Sequence, residues 1–194
     1  MLSFDSRKDL SLCEKMAIMS YRDIGYPQHA WDIDGYKRNR PNHDCDMING
    51  YLRGKIPNSK FTKLKLKYLK YLIATIAHAI NKSSVDRKTL AVYKGVSYFP
   101  ELEKYTLDYT VTDMAFNSFS ASEDRAFKYS GKNSKGQRIV FALELKRGDK
   151  AVYIDDVENE WLVQKGSCYG VVDIREYSNY KSHGKAIIYY LRLR

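Results

Sequence analysis

The sequence predicts an α+β fold in which helices come first and strands follow. Residues 1–88 place apolar side chains three and four positions apart, as amphipathic helices do. From Thr89 onward, short segments are rich in β-branched and aromatic residues and are separated by turn residues. Helices segregated from strands are typical of an α+β domain whose sheet forms a cleft. With 194 residues, we expect one domain, 1–194, made of a mainly helical lobe (1–88) and a mainly β core (89–194).

Three helices are expected before residue 89. The first spans residues near 9–21, and the second begins near Pro41 and stops before Gly54. The third runs from about Thr62 to Asn81, with its lysines facing outward. The apolar faces that the spacing predicts are Leu12, Met16 and Met19 in the first helix, Cys45, Ile48 and Leu52 in the second, and Leu69, Leu72, Ile73, Ile76 and Ile80 in the third.

The second half predicts a series of strands and one short helix. The helix covers Glu123–Tyr129, with Ser120 or Ser122 as its N-cap and two acidic residues in its first turn. The final strand alternates well, which puts Ile187, Tyr189, Leu191 and Leu193 on one face. The predicted strands are 89–96, 116–120, 139–145, 151–154, 158–163, 169–175 and 186–193.

Composition excludes several classes of protein. No apolar run approaches the roughly 18 residues that span a bilayer, and the first ten residues contain no apolar signal region. We therefore expect a cytoplasmic protein, with a secreted effector as the second choice. Cys13, Cys45 and Cys168 are far apart and fit no metal or disulfide spacing, and the four histidines are equally scattered. We expect reduced thiols and no metal site.

The net charge of +10 is concentrated in the N-terminal half. Residues 1–90 contain 17 Lys or Arg and 9 Asp or Glu, whereas residues 91–194 contain 16 and 14. Such a basic stretch is able to steer the protein to RNA, DNA, a ribosome or an acidic partner, but a solvated helix face is the more common explanation of such a run. The lysines at the centre of this excess are Lys55, Lys60, Lys63, Lys65, Lys67 and Lys70.

The segment VENEWLVQKG, residues 157–166, contains two carboxylates at the start of a predicted strand. Glu158 and Glu160 are two residues apart, so their side chains would share one face of that strand. Two like charges side by side are unfavourable unless a basic ligand, a developing cation or open water stabilises them. Taken alone, the pair is consistent with either a solvated strand edge or a catalytic site.

Three further segments precede this pair in a recognisable order. Together with it, they resemble the arginine/serine/glutamate class of mono-ADP-ribosyltransferases, the toxin and phage enzymes built like the catalytic components of C2 and iota toxins. The resemblance covers roughly residues 35–194. None of the motifs is specific alone, but four in sequence with sensible spacing rarely arise by chance. The motifs are Ile48–Gly54 on the second helix, Tyr93–Val96 at a strand end, Phe116–Ser120 opening the next strand, and Glu158–Trp161 followed by Lys165–Ser167.

The resemblance implies a split β-sheet with NAD in the cleft between its two parts. Glu160 would be the catalytic residue, binding a nicotinamide-ribose hydroxyl and stabilising an oxocarbenium-like transition state. Glu158 would face the nucleophile, and a glutamate there goes with arginine as the acceptor. Ser118 would tie Glu160 to the neighbouring strand by a hydrogen bond, whereas Ser120 would have a structural role.

The resemblance also implies a set of NAD-binding residues, with two departures from the family pattern. Lys94 stands where the family usually has an arginine that reaches the NAD phosphates, and lysine lacks the planar fork of a guanidinium. Phe119 stands where the family usually has threonine. Arg138 is our candidate for a second phosphate contact, although a surface charge at a strand end fits it equally well. The other expected NAD contacts are Tyr93, Gly95 and Ser118, with Asn49 and Arg53 at the adenine end.

The first functional hypothesis is a monomeric transferase that passes ADP-ribose from NAD to an arginine of a target protein. The size of the chain and the lack of an export signal favour a phage or prophage enzyme acting in a host cell. The alternative is a catalytically impaired relative that binds nucleic acid or a ribonucleoprotein through the basic helix, Lys60–Lys70. A third possibility is that NAD is hydrolysed without transfer to a protein.

Overall fold

A computed structural model describes residues 9–22, 44–155 and 159–194 of the chain. Two residues named above, Pro41 and Glu158, lie outside these ranges. The helices are α1 (Leu12–Arg22), α2 (Asp44–Leu52), α3 (Lys63–Lys82) and α4 (Glu123–Tyr129), with short 3-10 helices at Asn58–Lys60 and Pro100–Lys104. The strands are β1 (Thr89–Gly95), β2 (Thr110–Asp113), β3 (Asn117–Ser120), β4 (Arg138–Lys146), β5 (Ala151–Asp155), β6 (Glu160–Val163), β7 (Ser167–Tyr177) and β8 (Ala186–Leu193).

The α+β class is confirmed, and most elements lie where the sequence predicts them. α4 and β8 have the predicted bounds. α3 begins one residue later than predicted, because the hydroxyl of Thr62 accepts a hydrogen bond from the backbone N–H of Lys65 at 3.3 Å and so caps the helix. β2 is an addition that the sequence did not predict. No helix in the described ranges has the length and apolar composition to cross a membrane.

The strands form one sheet in the order β2-β7-β8-β4-β1-β3-β6-β5. β4 and β8 run parallel, and every other neighbouring pair is antiparallel. β1 pairs with β4 through seven residue pairs but with β3 only through Tyr93 and Ser120. The sheet therefore divides at this single pair into a five-stranded part ending at β1 and a three-stranded part beginning at β3. We call this pair the junction.

Three apolar clusters fill the spaces around the two parts of the sheet. α1, α2 and α3 pack on one face of the three-stranded part, against Phe116, Val152 and Leu162. α4 packs on the five-stranded part, against Val140 and Ile188. The opposite faces of both parts contribute to a shared cluster that includes Val92, Phe119, Ile139, Leu143, Trp161, Tyr189 and Leu191. The junction consequently lies between a part of the sheet that is covered by α1, α2 and α3 and a part that is covered by α4.

The predicted apolar face of the first helix is wrong. Leu12, Met16 and Met19 are 73%, 44% and 45% exposed, and α1 instead buries Ala17, Ile18 and Tyr21. Both sets follow helical spacing, so periodicity does not distinguish them. The core-facing side is the one that carries Glu14, whose partners lie on α3.

Glu14 is a buried carboxylate that holds α1 against α3. It is only 4% exposed and lies 2.7 Å from Nδ1 of His78, while Lys82 Nζ donates to it at 3.0 Å. The backbone N–H of Ser11 also donates to it at 2.7 Å. Burial by itself raises the pKa of Glu14, but hydrogen bonds from Ser11, His78 and Lys82 outweigh burial and lower this pKa to about 2.

Replacing Glu14 by glutamine should lower the free energy of unfolding by about 2 kcal/mol at pH 7. The folded pKa of about 2 lies below the ordinary value of 4.5. The stabilisation is therefore complete above about pH 4.5 and is lost as the pH falls toward 2. Urea unfolding of the wild type and Glu14→Gln at pH 7, 4.5 and 3 should show that their free energies of unfolding approach each other as the pH falls. Met16→Ala on the exposed side of α1 is the matched control and should change stability by less than about 0.5 kcal/mol. Equal stability of Glu14→Gln and wild type at pH 7 would contradict the assignment.

Candidate active site

Glu160 is positioned by the pairing of β6 with β3. It lies directly opposite Ser120, and Ser118 lies opposite Leu162. Side chains two residues apart on a strand share a face, so both serines lie on the same side of the sheet as Glu160. Ser120 is its direct cross-strand neighbour and Ser118 the diagonal one. The hydrogen bond predicted between Ser118 and Glu160 stays a prediction, and the register favours Ser120 for the closer contact.

The residue before Glu160 adopts a special backbone conformation. Asn159 has φ +49°, in the left-handed region that asparagine tolerates better than most residues. Its carbonyl oxygen accepts a hydrogen bond from Ala121 N–H at 2.8 Å, and its Oδ1 accepts one from the hydroxyl of Tyr153 at 3.4 Å. β5 shifts register between Tyr153 and Asp155, beside Glu160, and such irregularities re-aim side chains at sites. Asn159 therefore fixes the direction in which β6, and with it Glu160, begins.

Tyr21 of α1 reaches the same face of the sheet, although no sequence motif pointed to it. It is 3% exposed, and its hydroxyl accepts a hydrogen bond from Asn49 Nδ2 at 2.9 Å. Burial raises the pKa of Tyr21, and electrostatic coupling to Cys45 and to the carboxylate of Glu160 raises it further, against hydrogen bonds from Asn49 and Ser118. The tyrosine hydroxyl thus lies within electrostatic reach of Glu160 and next to Ser118. It stays a neutral hydroxyl across the physiological pH range.

Lys94 is a partly buried cation at the end of β1. Its Nζ donates to Oδ1 of Asn117 at 2.7 Å and lies 5.7 Å from the centre of the Phe119 ring. No carboxylate in the described parts of the chain forms an ion pair with it. An amide oxygen and an aromatic face stabilise an ammonium less than a carboxylate does. Lys94 therefore keeps unbalanced positive charge that an anionic ligand would offset.

The surroundings of Lys94 set its protonation. Burial lowers the pKa of Lys94 to about 8, and the positive charge of Arg53 contributes in the same direction. The negative charges of Asp113 and Glu160 oppose this shift. Glu160 on β6 is therefore near enough to Lys94 on β1 for its charge to act on the ammonium across the junction.

A second polar cluster joins α2 to β2 and β3. Arg53 donates from Nε and Nη2 to the two carboxylate oxygens of Asp113, at 2.9 and 2.7 Å. The same carboxylate accepts from Ala115 N–H and from Asn117 Nδ2, both at 3.0 Å. Burial raises the pKa of Asp113, but these hydrogen bonds outweigh it and hold the pKa below its usual value. Since Asn117 also binds Lys94, the cluster links three strands and a helix.

Two residues of the predicted Tyr93–Val96 motif face away from Lys94. Tyr93 packs with the cluster under α4, and its pKa is raised by burial and by the charge of Glu123. Gly95 lies directly against α4, since a Cβ there would come within 2.1 Å of the carbonyl oxygen of Ala126. The requirement for glycine is therefore explained by packing of the strand end on the helix. NAD binding by Tyr93 and Gly95 stays a prediction that these contacts do not support.

Arg138 also lies apart from Lys94. It donates from Nη1 to the carbonyl oxygen of Phe127 at 3.3 Å, near the end of α4. On β4, the side chain of Arg138 lies on the same face as that of Val140, which packs under α4. Lys94 pairs with Phe141, whose side chain lies on the opposite face of the sheet. The geometry therefore does not support a phosphate contact shared by Arg138 and Lys94.

Of the predicted site residues, the structure brings together Glu160, Ser118, Lys94, Asn49 and Arg53. Glu158 lies outside the described residues. Within the described ranges, no group of three or more His, Cys, Asp or Glu side chains is arranged to hold a metal ion. The cysteines Cys13, Cys45 and Cys168 are free thiols.

Sequence reasoning missed three residues of the site. Tyr21 lies on the helix face that periodicity had not selected. Asp113 ends a four-residue strand whose sequence, TVTD, is too short for a clear alternating signal. Asn117 was within a quoted motif but had been given no role. A signal for Asp113 did exist, because Arg53 was predicted to face the adenine end of the cleft and a guanidinium that is partly removed from water needs an acidic partner.

Comparison with known proteins now identifies the class to which this geometry belongs. The model of the ADP-ribosyltransferase exoenzyme family matches residues 3–192, and the chain belongs to that family. Its members use NAD as the ADP-ribose donor. Comparison of the sequence with curated proteins finds no match. The resemblance to mono-ADP-ribosyltransferases of the toxin type is confirmed.

Solved structures show the same fold at low sequence identity. The enzymatic component C2-I of the C2 toxin from Clostridium botulinum is 18% identical with a TM-score of 0.66, over 98% of this chain and 44% of that one. Plx2a, an ADP-ribosyltransferase toxin from Paenibacillus larvae, is 15% identical with a TM-score of 0.66, over 98% and 90%. The ADP-ribosylating toxin BECa of C. perfringens, solved with NADH, is 18% identical with a TM-score of 0.66, over 96% and 44%. The chain thus spans less than half of C2-I and BECa and most of Plx2a.

Replacing Asn159 by valine should destabilise the protein by about 2 kcal/mol. A β-branched residue is strained at positive φ, and the hydrogen bond from Tyr153 is lost as well. Asn159→Gly is the matched control, because glycine adopts this conformation freely, and it should lose about 1 kcal/mol or less. Urea unfolding of the three proteins measures the difference. If valine is tolerated as well as glycine, the backbone at position 159 does not need the left-handed conformation.

Proposed function

We propose that the protein transfers ADP-ribose from NAD to an arginine side chain of a target protein and releases nicotinamide. The observation that carries the proposal is the placement of Glu160 opposite Ser120, within electrostatic reach of both Tyr21 and Lys94. A fixed carboxylate and a separate, partly buried cation suit a substrate with a positively charged reacting sugar and an anionic pyrophosphate. Membership of the family supports this arrangement.

Glu160 is the residue to which we assign catalysis. In the reaction, the bond between the ribose C1′ and the nicotinamide nitrogen breaks, and positive charge develops on the ribose. A carboxylate held next to that charge stabilises the transition state more than the ground state. Asn159 and the β3–β6 pairing fix the direction of Glu160 before the substrate binds, so little reorganisation is needed.

Lys94 and Asn49 are the residues that we assign to NAD binding. The ammonium of Lys94 has no carboxylate partner among the described residues, so a bound pyrophosphate would offset the cost of its burial. Oδ1 of Asn49 is buried and accepts no hydrogen bond within the described ranges, which leaves an acceptor for a ribose or adenine donor. Arg53 is already neutralised by Asp113, so its role is to hold α2 in place beside the site.

Arginine as the acceptor rests on the spacing of Glu158 and Glu160 and on the resemblance described above. A carboxylate at position 158 would bind the guanidinium and take its proton as the new bond from a guanidinium nitrogen to C1′ forms. The products are then ADP-ribosylarginine, nicotinamide and a proton. The alternative of an impaired relative that binds nucleic acid has no support in the comparisons, and we do not propose it.

Replacing Glu160 by glutamine should lower both nicotinamide release and transfer of ADP-ribose to a guanidine acceptor by at least about 100-fold, because the neutral amide does not stabilise the developing cation. Glu158→Gln is the matched control and should retain nicotinamide release while losing most transfer to arginine. Both rates are measured with radiolabelled NAD and agmatine as a small guanidine acceptor. The assignment fails if Glu160→Gln labels agmatine as fast as the wild type does.

The kcat/KM for NAD should fall as the pH rises above about 8, the pKa of Lys94 in the free protein. This pKa is lowered from the ordinary 10.5, so the ammonium that binds pyrophosphate is lost in an accessible pH range. Lys94→Arg keeps its charge throughout, and its kcat/KM should stay level to about pH 10. Initial rates between pH 6.5 and 10 test both curves. If kcat/KM falls with pH in the same way in the wild type and in Lys94→Arg, the group that titrates is not Lys94.

A further inference from the structure

One side of α3 presents lysines and large apolar side chains to solvent. Leu64 is 78% exposed, Tyr71 56% and Tyr68 49%. Single apolar side chains on a surface are common, but three on consecutive turns of one helix are unusual. We call this surface the α3 basic face, and it consists of Lys63, Leu64, Lys67, Tyr68, Lys70 and Tyr71.

The lysines of the α3 basic face are not balanced by acidic residues. Lys63, Lys67 and Lys70 form no ion pair within the described ranges, and the sequence contains no acidic residue between Asp46 and Asp86. Lysines three and four residues apart on a helix repel one another. Lysine in the first turn also opposes the helix dipole, and the first turn of α3 has no acidic residue. The arrangement therefore costs α3 stability instead of adding to it.

The α3 basic face lies at the end of the helical layer that holds the candidate site. Glu14 near the start of α1 binds His78 and Lys82 near the end of α3, and α1 also carries Tyr21 of the candidate site. Tyr51 of α2 packs edge-on against Phe61, immediately before α3, with ring centres 5.8 Å apart. The segment that leads into α3 therefore contacts α2, which carries Asn49 and ends one residue before Arg53.

We propose that the α3 basic face docks an acidic surface of the protein that carries the acceptor arginine. The inference rests on the proposed function and adds the kind of partner to it. Unpaired lysines beside a site attract an acidic partner and raise its rate of association. Tyr71, which is 56% exposed, supplies an aromatic anchor of the kind that is enriched at protein interfaces. A convex helix lacks the groove that single-stranded nucleic acid follows, so an acidic protein is the better fit.

The experiment compares charge reversals at two places on the surface. Lys67→Glu and Lys70→Glu are combined in one protein, and Lys88→Glu and Lys150→Glu in a control protein. Both pairs change the net charge of +10 by the same amount. Lys88 and Lys150 are exposed and precede β1 and β5, at the strand ends away from Lys94 and Glu160. A control at these positions separates a docking effect from a general effect of charge.

Two defined probes report on docking, and one reaction reports on chemistry. The probes are a fluorescent, glutamate-rich peptide with one arginine and the same peptide with glutamine at every glutamate. In low salt, the wild type and the control should bind the acidic peptide at least about tenfold more tightly than the neutral one. The Lys67/Lys70 protein should lose this preference and keep its rate of nicotinamide release from NAD. Fluorescence anisotropy measures the binding, which requires no catalysis.

Each other outcome overturns the inference in a distinguishable way. Equal binding of the acidic peptide by the three proteins excludes docking on the α3 basic face. Loss of nicotinamide release in the Lys67/Lys70 protein alone shows damage to the site and removes the claim of a separate surface. A single-stranded oligonucleotide that binds this face more tightly than the acidic peptide replaces protein by nucleic acid as the partner. Absence of nicotinamide release in the wild type defeats the proposed function, whatever the peptides do.

Discussion

The junction between β1 and β3 is the constraint on which the candidate site depends. A single pair, Tyr93 with Ser120, connects the two parts of the sheet. Ser120 is also the cross-strand neighbour of Glu160, and Tyr93 is the chain neighbour of Lys94. Glu160 and Lys94 are thus each a direct neighbour of one member of the junction pair, Glu160 across the strands and Lys94 along the chain. Because Gly95 packs directly on the backbone of α4, the end of β1 has little freedom to move relative to this pair.

In the polar network beside the junction, Lys94 has no carboxylate partner among the described residues. Asp113 neutralises Arg53 with two hydrogen bonds, so that pair carries no net charge. Asn117 binds both Asp113 and Lys94, but an amide supplies no compensating charge. Among the described residues, the ammonium of Lys94 is therefore partly buried without a carboxylate partner. A bound anionic substrate would offset the free energy that it costs to desolvate this ammonium. The positive charge is therefore already in place before the substrate binds.

The sequence predicted what local patterns determine and missed what distant contacts determine. α4, β8 and the buried face of α3 followed from caps, alternation and helical spacing within each segment. The orientation of α1 did not, because Glu14 finds its partners on α3, more than 60 residues away. The same holds for Glu160, whose place opposite Ser120 depends on the register of strands about 40 residues apart. The sequence shows which residues are able to take part in catalysis or binding, but it does not show which of them contact one another in the fold.

The contact between Lys94 and Phe119 joins the two departures from the family pattern. The ring lies beneath the ammonium, so each residue forms part of the surroundings of the other. A substitution at either position should therefore change the surroundings of the other residue. The effects of the two substitutions on NAD binding should then not add, as is usual for residues in direct contact.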